Sequence, residues 1–250
     1  METILRCAMD IGEHMLVCGG EVYRVEESIR RICLAYGAKR TDVFIITSSM
    51  VVTIFTEDGK NYTQTRRIRG SETNIESLHK LNDLSRQICR GKVSVQEADD
   101  ICNRIKACKK YPFWMECLSY GVIAASFALF FGGGIRDAVV APVIGVILRM
   151  LLVATDRLVP NRIFEKFICS AMTTLLAYMA VRAQIIVDVD KVIIGNIMAL
   201  IPGIGLTNSL RDLFVGDSIT GLLRFIEACL LALAIGAGYF LVVCLMGGVS

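Results

Sequence analysis

The distribution of charge limits what this chain can fold into more than any other feature. Residues 1–112 carry 18 Lys and Arg and 15 Asp and Glu, whereas residues 113–250 carry nine of each. The change comes at Lys109-Lys110-Tyr111-Pro112. Hydrophobic residues make up 54% of the chain, and mean hydropathy is +0.56. The second half has too few charges to face water. About 20 apolar residues span a bilayer as a helix, and five stretches read that way: 113–132, 137–155, 164–183, 191–210 and 221–246. The expected fold is an α-helical polytopic membrane protein of five spans, one of them broken. A small α+β cytosolic domain precedes it, which puts the domains at 1–112 and 113–250.

The broken span is Lys191 to Gly216, KVIIGNIMALIPGIGLTNSLRDLFVG. Its apolar run reaches Pro202 and Gly203 after about half the length a bilayer needs. Proline lacks an N–H, and Gly203 and Gly205 have no Cβ to hold a helix. Thr207, Asn208, Ser209, Arg211 and Asp212 follow at once. A break at membrane depth is tolerated where protein buries it or where it lines a wet cavity. Discontinuous helices build transporter sites, with a half-helix N-terminus facing an anion. The plainer reading ends the helix at Pro202 and makes Thr207 to Gly216 a surface loop.

The charged half reads as ααβββαα. Ile4, Leu5, Ala8, Ile11, Met15 and Leu16 share one helical face. Cys18-Gly19-Gly20 turns the chain into a second helix carrying Val22, Val25, Ile29, Ile32, Cys33 and Tyr36, closed by Gly37. Residues 43–46 and 51–55 read as strands with Ser48-Ser49 between them. Asp58-Gly59 leads into a third strand near Tyr62 to Arg67. Two capping boxes, Thr73 with Glu76 and Ser94 with Glu97, start the last two helices. The first of these is expected to bury Ile75, Leu78, Leu81, Leu84 and Ile88, and the second Ala98, Ile101 and Ile105.

Several function classes fall away. A net charge of +3 without a compact basic run gives no nucleic-acid partner. The ten Cys form no C-x-x-C pair and only His14 and His79 stand beside them, so no metal or cofactor is expected. Scattered cysteines fit a reducing cytosol. Glu2, Arg6, Asp10 and Glu13 break any signal-peptide core. No G-x-S-x-G, H-E-x-x-H or P-loop occurs. Glu13, His14 and Glu21 form a possible acid–base set, set against a solvated helix face with salt bridges.

The basic loops sort the apolar half. Arg157, Arg162 and Lys166 lie between the second and third spans, and Lys106, Lys109 and Lys110 precede the first. The positive-inside rule then puts residues 1–112 in the cytosol, and an odd span count sends the C-terminus outside. Small residues recur every four positions: Ala124, Ala128 and Gly132; Gly195, Ala199 and Gly203; Ala228, Ala232 and Gly236. Such stripes let helices approach closely in lipid. Arg149 in the second span either snorkels or lines a cavity, and Asn196 is placed to bond a neighbour or a substrate.

These motifs together resemble the threonine/serine exporter family in its short form, over nearly the whole chain. Gly19-Gly20-Glu21-Val22-Tyr23-Arg24-Val25-Glu26-Glu27 is similar to its N-terminal signature, which more often reads Gly-Ala-Glu-Thr. Leu81-Asn82-Asp83-Leu84-Ser85-Arg86 also matches. The most specific piece is Leu200-Ile201-Pro202-Gly203 with Asn208, Asp212 and Gly216. The resemblance implies a subunit of a secondary exporter of small carboxylate metabolites, threonine and serine or a dicarboxylate such as succinate. It also implies a plasma-membrane location and a partner: a separate small membrane subunit, or further copies of the chain. The candidate substrate-binding residues are Asn196, Pro202, Gly203, Gly205, Asn208, Arg211, Asp212 and Arg149. The competing readings are a membrane-anchored hydrolase and a regulatory protein acting through the cytosolic domain.

Overall fold

The computed structural model describes residues 1–70, 72–107, 111–158 and 161–246. Lys109 and Lys110 at the expected domain boundary, and Ser250 at the C-terminus, lie outside the described residues, as does the Arg157 side chain. The chain forms two compact units. Unit 1 joins Met1–Lys109 to Ile204–Phe225, and unit 2 joins Lys110–Gly203 to Ile226–Ser250.

Unit 1 contains α1 (Glu2–Val17), α2 (Val22–Ala35), β1 (Arg40–Ile46), β2 (Ser49–Phe55), β3 (Asn61–Arg67), α3 (Ile75–Cys89) and α4 (Val95–Lys106). It also contains α9 (Gly203–Val215) from its second residue and the first turns of α10 (Ser218–Leu245). The sheet is an antiparallel meander in the order β1-β2-β3. Met50, Val52 and Ile54 of β2 alternate inward, so one face of the sheet joins the helices. Leu5, Met9, Ile11, Met15, Ile29, Ile32, Leu81, Leu84 and Ile88 complete that core. Each buried Leu or Ile contributes about 1.5–3 kcal/mol.

Three local expectations change. Ile46 pairs with Ser49, so the turn is Thr47-Ser48 and Ser49 opens β2. The N-cap of α3 is Asn74, not Thr73. Its side chain accepts from Ser77 N–H at 3.0 Å, and an Asn one residue nearer the helix outcompetes the Thr. Ile75 then stands at the first helical position and is exposed. Ser94 and Glu97 do form a reciprocal capping box.

Unit 2 contains α5 (Phe113–Phe130), α6 (Ile135–Leu158), α7 (Arg162–Arg182), α8 (Val189–Ile197) and most of α10. Among the described residues, four helices are long and apolar enough to cross a membrane: Phe113–Phe130, Ile135–Asp156, Arg162–Arg182 and Ser218–Leu245. The stretch expected as a broken fourth span forms two shorter helices, α8 with nine residues and α9 with 13. Turns close at Ala199 and Leu200, and Pro202 separates the two. At about 1.5 Å per residue neither covers about 30 Å of hydrocarbon.

Unit 2 is apolar on the outside. Phe130, Ile135, Val139, Leu233 and Phe240 are all exposed, the pattern of a surface solvated by lipid rather than water. Its interior is built on close backbone approach. A Cβ on Gly195 of α8 would lie 2.7 Å from Ala124 O and 2.9 Å from Ala128 N, so only glycine lets α8 lie against α5. In α10 the expected stripe is packed only at Ala228. Ala232 and Gly236 are exposed, while Ala234, Ile235 and Val242 are buried. Ser170 of α7 donates to Ile235 O at 2.7 Å and fixes that face. Buried Asp137 accepts from Gly134, Val187 and Asp188 N–H groups at 2.8, 2.9 and 3.3 Å, which ties the turn before α6 to the segment before α8.

Candidate functional site

The signature turn between α1 and α2 meets α9 inside unit 1. Gly19 and Gly20 close α1 by donating to Leu16 O and Met15 O at 3.0 and 2.8 Å. Gly19 adopts a φ of 93°. A Cβ on Gly20 would stand 2.7 Å from Met15 O, so this turn takes glycine at that position. The turn delivers Glu21 to the N-cap of α2 and turns the Gly19 and Gly20 carbonyls toward α9 and α10. Asn208 Nδ2 donates to Gly19 O at 3.4 Å. Both terminal nitrogens of Arg224 lie 3.5 Å from Gly20 O, at the outer limit of a hydrogen bond.

Two arginines and a surplus of carboxylates follow. Arg211 Nη1 donates to Glu21 Oε1 at 2.8 Å and Nη2 to the Tyr23 hydroxyl at 3.3 Å. Its guanidinium lies 6.0 Å from the Tyr23 ring centroid. The Arg211 side chain is 54% exposed and Glu21 only 11%. Asp212 is fully buried and takes Arg224 Nη1 on Oδ2 at 3.2 Å. Asp212 is therefore paired with Arg224 and not with its chain neighbour Arg211. Successive helical residues point about 100° apart, so Arg211 reaches Glu21 while Asp212 turns inward to α10.

The carboxylates are incompletely satisfied. Glu21 Oε2, Asp212 Oδ1 and Asp217 Oδ2 are buried without a hydrogen-bond partner among the described residues. Burial pushes the Asp212 carboxyl above its ordinary range; Arg224 opposes this, and Asp217 and Glu21 add to it. Glu26, whose Oε1 accepts from Ile45 N–H at 3.0 Å, is raised too, again by burial first. The network thus holds strong acceptors with room for another proton or donor.

The structure divides the expected site residues. Gly205, Asn208, Arg211 and Asp212 belong to unit 1; Asn196, Pro202, Gly203 and Arg149 belong to unit 2. Arg149 does not stand free. Its Nε donates to Glu116 Oε2 at 3.0 Å, its Nη2 reaches the same oxygen, and its guanidinium lies 5.7 Å from the Tyr120 centroid. Asn196 is fully buried; Nδ2 donates to Val192 O at 2.9 Å and Oδ1 has no partner among the described residues. Gly203 N–H donates to Ile201 O at 2.8 Å, and a Cβ at Gly203 would meet nothing within 4 Å.

Sequence reasoning missed Arg224 and Glu116. Both sit inside apolar runs, where an isolated charge is itself a signal that a partner exists. The Glu13 and His14 set has other engagements. Glu13 accepts from Arg66 at 3.0 Å, and His14 Nε2 lies 3.9 Å from Cys18 Sγ. Among the described residues no group of three or more His, Cys, Asp or Glu is arranged to hold a metal ion.

Comparison with known proteins gives this geometry a context. A family model described as "Putative threonine/serine exporter" matches residues 6–246. The chain is 26% identical to "Probable succinate transporter subunit YjjP" of Klebsiella aerogenes, over 97% of this chain and 92% of that protein. It is 25% identical to the protein of the same name from Escherichia coli, over 98% of this chain and 95% of the relative. It is 25% identical to "Threonine/serine exporter" of Corynebacterium glutamicum, over 94% of this chain but only 50% of that longer protein. No solved structure matches the chain. Both signature segments that meet at Arg211 lie within the matched residues, and the chain belongs to the threonine/serine exporter family.

Proposed function

We propose that this chain is one subunit of a secondary exporter that moves small carboxylate metabolites out of the cytosol. It works with a separate small membrane subunit or with further copies of itself. The name "transporter subunit" carried by two relatives supports the partnership. So does a membrane half without an internal repeat, since secondary transporters commonly pair two repeats around one site. Unit 1 is assigned to the cytosol, and the crossing through α8 and the break at Pro202 leaves the C-terminus outside.

The observation that carries the site is the Arg211–Glu21–Tyr23 contact beside buried Asp212. Arg211 offers a planar fork suited to a carboxylate. In the observed state Glu21 occupies it, so an incoming substrate carboxylate takes Glu21's place. Asn208 holds the signature turn against α9, while Pro202, Gly203 and Gly205 set where α9 begins. Glu21 Oε2 and Asp212 Oδ1 then accept from a substrate ammonium, or Asp212 carries a proton. The surplus of acid favours a zwitterionic amino acid over a dicarboxylate, which brings only negative charge to a network already rich in it. In the membrane half, taken by itself, Asn196 keeps Oδ1 without a partner among the described residues, and Arg149 is held by Glu116.

Export of threonine, serine and succinate is measured from cells holding this chain and its partner subunit. Arg211→Lys keeps the charge and loses the fork; Asp212→Asn keeps the shape and loses the charge. Each is expected to cut export of the preferred substrate about tenfold or more at normal membrane levels. Wild-type export by both variants overturns the site, and a preference for succinate overturns the amino-acid assignment.

A further inference from the structure

The Leu81 to Arg86 signature segment takes no part in the export site. It lies on α3, which faces α2 across a cleft of about 350 Å³ in unit 1. Arg24 and Arg31, two turns apart on α2, line one wall, and Arg86 and Arg90 line the other. Against these four guanidiniums the lining holds a single carboxylate, Glu27.

That carboxylate is committed, since Arg31 Nη2 lies 2.5 Å from Glu27 Oε1. Arg86 is 3.4 Å from Asp83, an acid already engaged by Gln87 at 2.7 Å. Arg24 and Arg90 have no ion-pair partner among the described residues. Like charges gathered around one cavity repel, so the arrangement is at its most stable with an anion inside. The floor supplies neutral polar groups. The Ser28 hydroxyl makes no hydrogen bond among the described residues, and Asn82, whose Nδ2 donates to Leu78 O at 2.9 Å, keeps Oδ1 as an acceptor.

We propose that this cleft is a second ligand site, distinct from the export network, that binds a phosphate-bearing anion. The phosphoryl group belongs to a soluble metabolite or to an acidic phospholipid headgroup. Several guanidinium forks converging on one cavity match a dianion with three acceptor oxygens, whereas a monocarboxylate satisfies one fork. The volume lies at the small end of ligand pockets. Two signature segments of the sequence meet here, Arg24 from the first and Asn82 to Arg86 from the second.

Cys89 lines the cleft and is exposed, so it reports occupancy directly. The full chain is labelled with a maleimide, and Cys89 and Cys244, which is exposed in unit 2, are followed by peptide mass spectrometry. Inorganic pyrophosphate in neutral detergent, or phosphatidylglycerol in phosphatidylcholine nanodiscs, should slow labelling of Cys89 about tenfold and leave Cys244 unchanged. Protection by pyrophosphate assigns a soluble source, and protection by phosphatidylglycerol alone assigns the headgroup. Arg24→Gln with Arg90→Gln should abolish protection. Arg6→Gln with Arg104→Gln removes the same charge elsewhere in unit 1 and should keep it. No protection by either probe overturns the proposal. So does protection that survives the first pair, or that is lost equally in the second. Because neither pair touches Arg211 or Asp212, the result is independent of the export reading.

Discussion

Each compact unit half-buries an arginine against a carboxylate, and the two pairs differ in what surrounds them. In unit 2, Arg149 places two nitrogens on one oxygen of Glu116, with the Tyr120 ring nearby, and the pair is closed. In unit 1, Arg224 meets a wholly buried Asp212 that also feels Asp217 and Glu21, and Asp212 keeps an oxygen without a donor among the described residues. The first arrangement neutralises a charge that lipid would penalise. The second concentrates more acid than it neutralises, which creates a place for a proton or a cationic group. A buried ion pair by itself is weak evidence of function; surplus and unsatisfied charge beside it is stronger.

The comparison breaks first at the arginines. Arg224→Leu leaves Asp212 without its cation and is expected to cost about 3–5 kcal/mol. Arg149→Leu leaves Glu116, whose side chain is 26% exposed, and should cost about 1–3 kcal/mol. Chemical denaturation in detergent measures both, and the reverse order would overturn the contrast.

Backbone approach should come next, and it is expected in both units. Gly20→Ala and Gly195→Ala each place a methyl 2.7 Å from a carbonyl oxygen, and should cost about 1–3 kcal/mol. Gly203→Ala meets nothing within 4 Å, so it should be neutral or stabilising by up to about 1 kcal/mol. A large loss at Gly203 would show a contact beyond those of the described residues, such as one with a partner subunit.

The pH response sharpens the contrast at the smallest scale. Burial raises the Asp212 carboxyl. A raised acid contributes stability that is complete below its ordinary value and is lost as pH rises through the folded value. Between about pH 7 and about pH 4, acidification should therefore raise the melting temperature of wild type relative to Asp212→Asn. A constant difference across that range would mean Asp212 does not titrate there.

Much of this was legible in the chain. Alternation at Met50, Val52 and Ile54 and the capping box at Ser94 are local patterns, and local patterns survive folding. So is the apolar character of the spans, which needs only length and composition. The errors fell where neighbours compete. Asn74 displaced Thr73 as a cap, and of the stripe expected on α10 only Ala228 is buried, beside Ala234, Ile235 and Val242, while Ala232 and Gly236 are exposed. The stripe rule gives the spacing of small residues and says nothing of which face a neighbour covers. Arg211 and Asp212 were singled out from the sequence as candidates, but their partners were not. Glu21 is 190 residues from Arg211 and Glu116 is 33 from Arg149, and spacing carries no signal across such separations.

The sequence by itself determined the split into a charged and an apolar half, the helices and strands of the first, the break at Pro202 and the membership of a family. Each follows from a periodicity, a composition or a motif, all short-range properties of the chain. Only the tertiary structure decided that α9 folds into the same compact unit as residues 1–109. It also decided that Asp212 answers to Arg224, and that Arg24 and Arg31 of α2 share one cleft with Arg86 of α3 and Arg90 at its C-terminal cap. Those facts depend on which buried charges find each other when distant segments pack, and pairing across space is settled by desolvation and geometry rather than by order along the chain.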